Sequence, residues 1–186
     1  MSKQKEDNAN WKFIEISKVD DKIINNIINH LKFDLSEDFY ISIESVLKLG
    51  KKAELALETQ INEMDDYYIF KKELFKLILN YIKTNKIENP YLFDLYHPDF
   101  VIRANALRDI ERNDALKYLH LIIPIIDDPD DSVRWAVLNL LISLNQINNP
   151  IINKKLKNRA NIESNQIIKK KLLDVLNLSL LNISKV

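Results

Sequence analysis

Residues 128–138 read DPDDSVRWAVL, and the stretch 31 positions earlier, residues 97–107, reads HPDFVIRANAL. Fainter copies of the same pattern occur on both sides of these two. When the arginine of each clear copy is taken as the anchor, the five anchors are Tyr40, Lys71, Arg103, Arg134 and Lys169. Successive anchors are separated by 31, 32, 31 and 35 residues. A regular interval of this size is typical of a stacked unit of two helices.

Each copy carries the pattern of a helix that is buried along one side, which we call its anchor helix. The residues one before, three after and seven after the anchor are apolar in all five copies, at the i, i+4, i+8 spacing of one helical stripe. The residues two and five after the anchor lie opposite, and nine of these ten are polar. These ten are Ser42, Ser45, Glu73, Lys76, Asn105, Arg108, Ala136, Asn139, Lys171 and Asp174.

Shorter helical segments are predicted between the anchor helices, over residues 20–31, 51–64, 87–96, 114–126 and 149–161. Local signals support their boundaries. Asp130 is placed to cap the helix that follows, and Gly50 follows a helix where a positive φ is favoured. Pro124 should end or bend its helix, because proline cannot donate a backbone hydrogen bond. The sequence therefore predicts an all-α protein.

The composition agrees with a globular helical domain. The 186 residues are 46% apolar and 29% charged, with one glycine, no cysteine and a formal net charge of zero. So few glycines disfavour a sandwich or barrel, and the lack of cysteine excludes disulfides and favours a reducing, cytoplasmic setting. The many isoleucine, lysine and asparagine residues indicate an AT-rich coding genome, which is typical of a microbial source. No apolar run is long enough to cross a membrane. We expect residues 1–10 to be a disordered tail and residues 11–186 to form a single domain.

Residues 128–138 resemble the signature of the HEAT-repeat family, in its short PBS-lyase-type form. The resemblance implies a right-handed α-α superhelix, a HEAT-like solenoid of about five helix pairs. In that family a turn aspartate and an arginine six residues later, here Asp128 and Arg134, form a ladder of hydrogen bonds and ion pairs between adjacent repeats. Arg103 continues this ladder, although His97 replaces the aspartate in its copy. The alternative fold is an irregular helical bundle.

No residue pattern indicates catalysis. The three histidines, His30, His97 and His120, lie in separate copies without the paired spacing of a metal site. The acidic run at 127–131 lacks the turn glycine of a calcium loop, so helix capping accounts for it. A single glycine excludes a glycine-rich phosphate loop. We expect no enzyme activity, no cofactor and no metal.

Binding is the better prospect, because the polar sides of the anchor helices would form one surface in a HEAT-like stack. The candidate partner-binding residues are Lys72, Lys76, Asn105, Arg108, Arg112, Trp135, Asn139, Lys170 and Lys171. Trp135 is the candidate hot spot, since half-exposed tryptophans are frequent in interfaces. The alternative is that Trp135 fills space between stacked repeats.

The hypothesis is a scaffold that grips a protein or peptide partner. Its charges are unevenly spread, with a balance of −6 over residues 34–66 and +6 over residues 149–186. A basic surface with a stacking tryptophan would also suit nucleic acid, although the zero net charge opposes this. A third alternative is an accessory subunit of an enzyme, as in the phycobilin-lyase relatives of HEAT-like proteins.

Overall fold

The computed structural model of the chain describes residues 19–31, 35–64, 69–87 and 89–183. Every regular element within these ranges is helical, so the all-α prediction is confirmed. The predicted tail at residues 1–10 lies outside the described residues. The chain divides into two compact units, Met1–Pro90 and Tyr91–Val186. No sequence signal indicated this division, and a single domain over residues 11–186 stays a prediction.

The first unit contains two of the expected helix pairs. Its elements are α1 (Asp21–His30), α2 (Glu37–Leu49), a 3-10 helix (Gly50–Ala53), α3 (Glu54–Glu63) and α4 (Ile69–Thr84). Helix α1 packs on α2 and α3, and α3 packs on α4. Asp20 caps α1, because its side chain accepts the backbone N–H of Ile23 at 2.9 Å.

Gly50 ends α2 with a φ of 55° and a ψ of −127°. The positive φ is as predicted, because glycine has no Cβ to oppose it. The ψ lies outside the left-handed helical region, so the chain turns directly into the 3-10 helix rather than closing a left-handed cap.

The polar side predicted for α2 is wrong. Ser42 and Ser45 are only 1% and 6% exposed. The Ser45 hydroxyl donates to the carbonyl of Ile41 at 2.6 Å, one turn earlier in the same helix. A serine whose hydroxyl bonds a carbonyl of its own helix can be buried at little cost in free energy. A serine at this position of the pattern therefore need not be exposed to solvent.

The second unit contains the two clear copies of the sequence pattern and the fainter copy anchored at Lys169. Its elements are α5 (Leu92–Leu95), α6 (Phe100–Asp109), α7 (Arg112–Lys117), α8 (Leu119–Ile122), a 3-10 helix (Ile123–Asp127), α9 (Asp131–Ser143), α10 (Pro150–Ile162) and α11 (Gln166–Ile183). The anchor helices are α6, α9 and α11. Helix α9 packs on α6 and contacts α11, while α10 packs on α11.

The predicted apolar stripe forms the core of both units. Twelve of its fifteen residues are buried, and only Leu47, Phe70 and Ile102 are half-buried. Val133, Val137 and Leu141 of α9 are completely buried. The stripe prediction is therefore confirmed, and in the second unit the side of each anchor helix opposite the stripe remains toward solvent.

Pro124 interrupts its helix as predicted. Residues 114–126 form parts of α7, α8 and a 3-10 helix rather than one α-helix, and Pro124 stands in the first turn of the 3-10 helix. The buried Tyr96 hydroxyl donates to the carbonyl of Leu121 at 2.7 Å, just before this change of helix type. This bond ties α8 to the preceding α5 region, and burial raises the pKa of Tyr96 well above its ordinary value.

Candidate functional site

Arg103 begins a ladder of buried hydrogen bonds that joins the starts of the anchor helices in the second unit. Its Nη1 donates to the carbonyls of His97 and Pro98, at 2.7 and 2.9 Å, in the turn before its own helix. Its Nε and Nη2 both donate to the Asp128 carboxylate at 2.9 Å. The guanidinium therefore binds its own turn and grips the next turn with a bidentate ion pair.

Arg134 repeats this arrangement one copy later. Its Nη1 donates to the carbonyls of Asp128 and Pro129, at 2.8 and 2.9 Å. Its Nε and Nη2 donate to the Glu163 carboxylate at 2.8 and 2.9 Å. The carboxylate of Asp128 thus receives Arg103 of the preceding copy, whereas Arg134 of its own copy takes the main-chain carbonyl.

Glu163 is the ladder residue that sequence reasoning missed. Its Oε1 accepts the backbone N–H of Asn165 at 2.9 Å, as Asp128 accepts that of Asp130 at 2.8 Å. The signal was present, because Glu163 stands six residues before the anchor Lys169, the same offset that separates Asp128 from Arg134.

The environment of Glu163 strongly favours its charged form. Burial opposes ionisation, but hydrogen bonds from Arg134, the Asn165 N–H and Arg159 outweigh it and lower the pKa of Glu163 to about 2. Arg159 Nε lies 3.0 Å from the carboxylate. The ladder is fully occupied by its own partners, so its role is structural: it holds the first turns of α6, α9 and α11 side by side.

The side of α6, α9 and α11 opposite the apolar stripe is a different environment, which we call the open face. It consists of residues one or two positions after, five after and two before each anchor. Its main members are Val101, Asn105, Arg108, Trp135, Asn139, Ile167, Lys170, Lys171 and Asp174.

Most of the candidates predicted in the second unit lie on this open face. Asn105, Arg108, Asn139 and Lys170 are exposed, while Trp135 and Lys171 are half-buried. Arg108 Nη1 donates to Asn105 Oδ1 at 2.8 Å, so these two side chains support each other on α6. The polar character of the face is thus real in this unit, in contrast to α2.

Arg112 lies beyond the end of α6, in the first turn of α7. Its Nη1 donates to the Ser143 carbonyl at 2.8 Å, at the last residue of α9. The bond ties the far end of α9 to the segment that follows α6. Helices α6 and α9 are therefore linked at both ends, by the ladder and by Arg112, and run in the same direction.

Two exposed apolar residues on the open face were missed by the sequence analysis. Val101 and Ile167 are 48% and 71% exposed. Each stands two residues before its anchor. Val101 is therefore seven residues before Arg108, and Ile167 is seven residues before Asp174. Seven residues are two helical turns, so both members of each pair lie on the same side of the helix. The helical periodicity thus contained the signal, at the position two before the anchor.

Lys72 and Lys76 belong to the first unit, on α4. Lys72 Nζ donates to the carbonyl of Met64 at 3.3 Å. Lys76 forms an ion pair of 2.8 Å with Glu73, one turn away. Both lysines have local partners, and a surface continuous with the open face stays a prediction.

The chain matches no family model, no curated protein and no solved structure. The resemblance to HEAT repeats therefore stays a proposal. Among the described residues, no cluster of three or more histidine, cysteine or acidic side chains is close enough to hold a metal ion. None of the described helices is long and apolar enough to cross a membrane.

The cations at the open face differ from those of the ladder in their partners. Arg103, Arg134 and Arg159 all pair with buried carboxylates. The three cations of the open face, Arg108, Lys170 and Lys171, have no carboxylate partner among the described residues. The open face thus combines positive charge that has no carboxylate partner with exposed apolar and partly exposed aromatic surface.

Proposed function

We propose that this chain is a non-catalytic scaffold that binds a protein or peptide partner on the open face of α6, α9 and α11. The proposal includes a HEAT-like right-handed superhelix as the framework and a cytoplasmic location, which the absence of cysteine supports. The ladder, the apolar stripe and the Arg112 bond that hold the three anchor helices use no side chain of the open face, so that face is free to vary for recognition.

The observation that carries the proposal is the position of Trp135. It is half-buried at the middle helix of the face, while its neighbours in sequence, Arg134 and Ala136, are buried. A tryptophan that is fixed by its helix but still offers part of its ring to solvent brings large contact area at low entropic cost. The remaining polar side chains of the face would surround this anchor.

Capture of partners from the native host tests the proposal. The immobilised chain should retain a protein that the Trp135→Ala variant does not retain. Ile151→Ala is the matched control, because Ile151 is 73% exposed on α10 and lies outside the open face. Circular dichroism should show that both variants remain helical. Retention of the same proteins by the Trp135→Ala variant would refute the assignment of the open face.

A second candidate partner is nucleic acid, which the positive charges of Arg108, Lys170 and Lys171 favour. Nuclease treatment of the host extract before capture distinguishes a protein partner from a nucleic-acid partner. A protein partner is retained after treatment, whereas a partner bridged by nucleic acid is lost. Direct binding of an oligonucleotide that weakens steeply as salt rises would establish the second candidate.

A further inference from the structure

We infer that the open face recognises an acidic amphipathic helix, which lies across α6, α9 and α11. This inference rests on the proposed function and names the class of partner. It follows from how apolar and cationic residues are ordered along the three anchor helices, and from the charges that the second unit leaves unpaired.

Along each of these three helices an apolar member of the open face is followed by a polar member farther from the ladder, although on α9 the polar Ser132 precedes Trp135. On α6 Val101 precedes Arg108, on α9 Trp135 precedes Asn139, and on α11 Ile167 precedes Lys171. The separations are seven, four and four residues, or roughly 6 to 10 Å at the rise of an α-helix. The open face therefore has an apolar band beside the ladder and a polar, mainly cationic band beyond it.

The geometry of the two bands fits a helix better than an extended peptide. An α-helix is about 10 Å wide and can present an apolar edge and an acidic edge to the two bands together. An extended strand turns alternate side chains toward and away from the surface, so it offers only one row. Three helices at interaxial distances of 8–10 Å give a span of roughly 16–20 Å, which corresponds to about 12 residues of helix.

The charges select an acidic partner. Lys170 is exposed and Lys171 half-buried, and neither has a carboxylate partner among the described residues. Among the described residues, the Arg108 guanidinium donates its hydrogen bond to the neutral Asn105 side chain. Asp174 is the one acidic member of the open face, so the face remains net positive. Partner carboxylates would supply the counter-charges that these cations lack among the described residues.

Exposed aliphatic side chains favour a protein over a nucleic acid here. Val101 and Ile167 lie on either side of Trp135 in the apolar band. They are among the most exposed large apolar residues of the second unit. An aliphatic side chain gains by contact with leucine-like groups, whereas a phosphate backbone would have to be desolvated against it. Nucleic acid is therefore an outcome of the test rather than the expected ligand.

Two designed peptides of about 14 residues, with leucines on one side of the helix, provide the probes. One carries glutamates on the other side, and its match carries lysines at the same positions. Binding is followed by Trp135 fluorescence in a Trp11→Phe background, where Trp135 is the one remaining tryptophan of the chain's two. We expect the glutamate peptide to bind at least about tenfold more tightly than the lysine peptide.

Charge variants locate the binding. The double variant Lys170→Glu, Lys171→Glu should weaken binding of the glutamate peptide by roughly fivefold or more, and Asp174→Lys should strengthen it. Lys154→Glu is the control, because Lys154 is an exposed lysine on α10, outside the open face. Equal binding of both peptides, or an equal loss in the Lys154→Glu variant, would overturn the inference.

The result separates this inference from the broader proposal. If neither peptide binds at concentrations up to about a millimolar, or if an oligonucleotide binds in their place, the acidic helix is wrong. The proposed scaffold function would still hold if a host protein is captured in a Trp135-dependent way. Loss of that dependence would instead refute the scaffold function, whichever peptide binds.

Discussion

Replacement of Glu163 by glutamine tests the physical basis of the ladder. Glu163 is a completely buried carboxylate whose partners lower its pKa from 4.5 to about 2. A difference of about 2.5 pKa units corresponds to about 3 kcal/mol of stabilisation of the folded chain at neutral pH. Glutamine keeps the shape but removes the charge, so Arg134 would be left buried without its counter-ion.

The stabilisation that ionised Glu163 provides should decrease as the pH falls. Because the folded-state pKa is depressed, the stabilisation is fully present above about pH 5 and is lost as the pH falls toward 2. The difference in unfolding free energy between the native chain and the Glu163→Gln variant should therefore be about 3 kcal/mol at pH 7 and should shrink steadily between pH 5 and pH 2.

Urea unfolding measures this difference. Trp135 fluorescence in the Trp11→Phe background reports on the second unit, and both proteins are compared at several pH values and constant ionic strength. Glu111→Gln is the matched control, because Glu111 is exposed and makes no side-chain cap bond; its effect should stay within about 0.5 kcal/mol. A difference that stays constant from pH 7 to pH 3 would refute the assigned ionisation of Glu163.

Three further substitutions test other parts of the fold. Tyr96→Phe should cost about 1–3 kcal/mol in urea unfolding, since it leaves the Leu121 carbonyl without its buried donor. Because burial raises the pKa of Tyr96, the native chain should also lose stability as the pH rises above about 10, and the phenylalanine variant should lose less over that range. Gly50→Ala should lower the unfolding free energy of the first unit by about 1 kcal/mol, owing to its φ of 55°; an unchanged midpoint would contradict this. Asp130→Ala should cost about 1 kcal/mol, because Asp130 accepts the N–H groups of Ser132 and Val133 at the start of α9, and differential scanning calorimetry would show it.

The helix pairs could be predicted because helical periodicity and end signals are local properties of the chain. The apolar stripe, the Asp20 and Asp130 caps and the break at Pro124 all depend on residues within a few positions of one another. Local patterns carry no information on what covers a polar position, which is why the burial of Ser42 and Ser45 was not foreseen.

The candidate site shows the same limit. Spacing within one copy brings Asp128 and Arg134 together in sequence, but it does not say whether the carboxylate or the carbonyl of Asp128 meets the guanidinium. That choice depends on Arg103, 25 residues before Asp128, and therefore on how neighbouring helices pack. Val101 and Ile167 were accessible to pattern reasoning, since they share a helix side with the polar positions, but their exposure depends on tertiary contacts.

The two rungs of the ladder have nearly the same bond lengths, although 25 residues separate Arg103 from Asp128 and 29 separate Arg134 from Glu163. The ion pair of each rung therefore forms in the same way although the segment between its arginine and its acidic residue differs in length. Insertions and deletions in the intervening segment can accumulate without disturbing the alignment of the anchor helices, provided that the acid and the arginine change only together. The length of a repeat in such a protein can therefore change during evolution, as long as each arginine keeps its acidic partner.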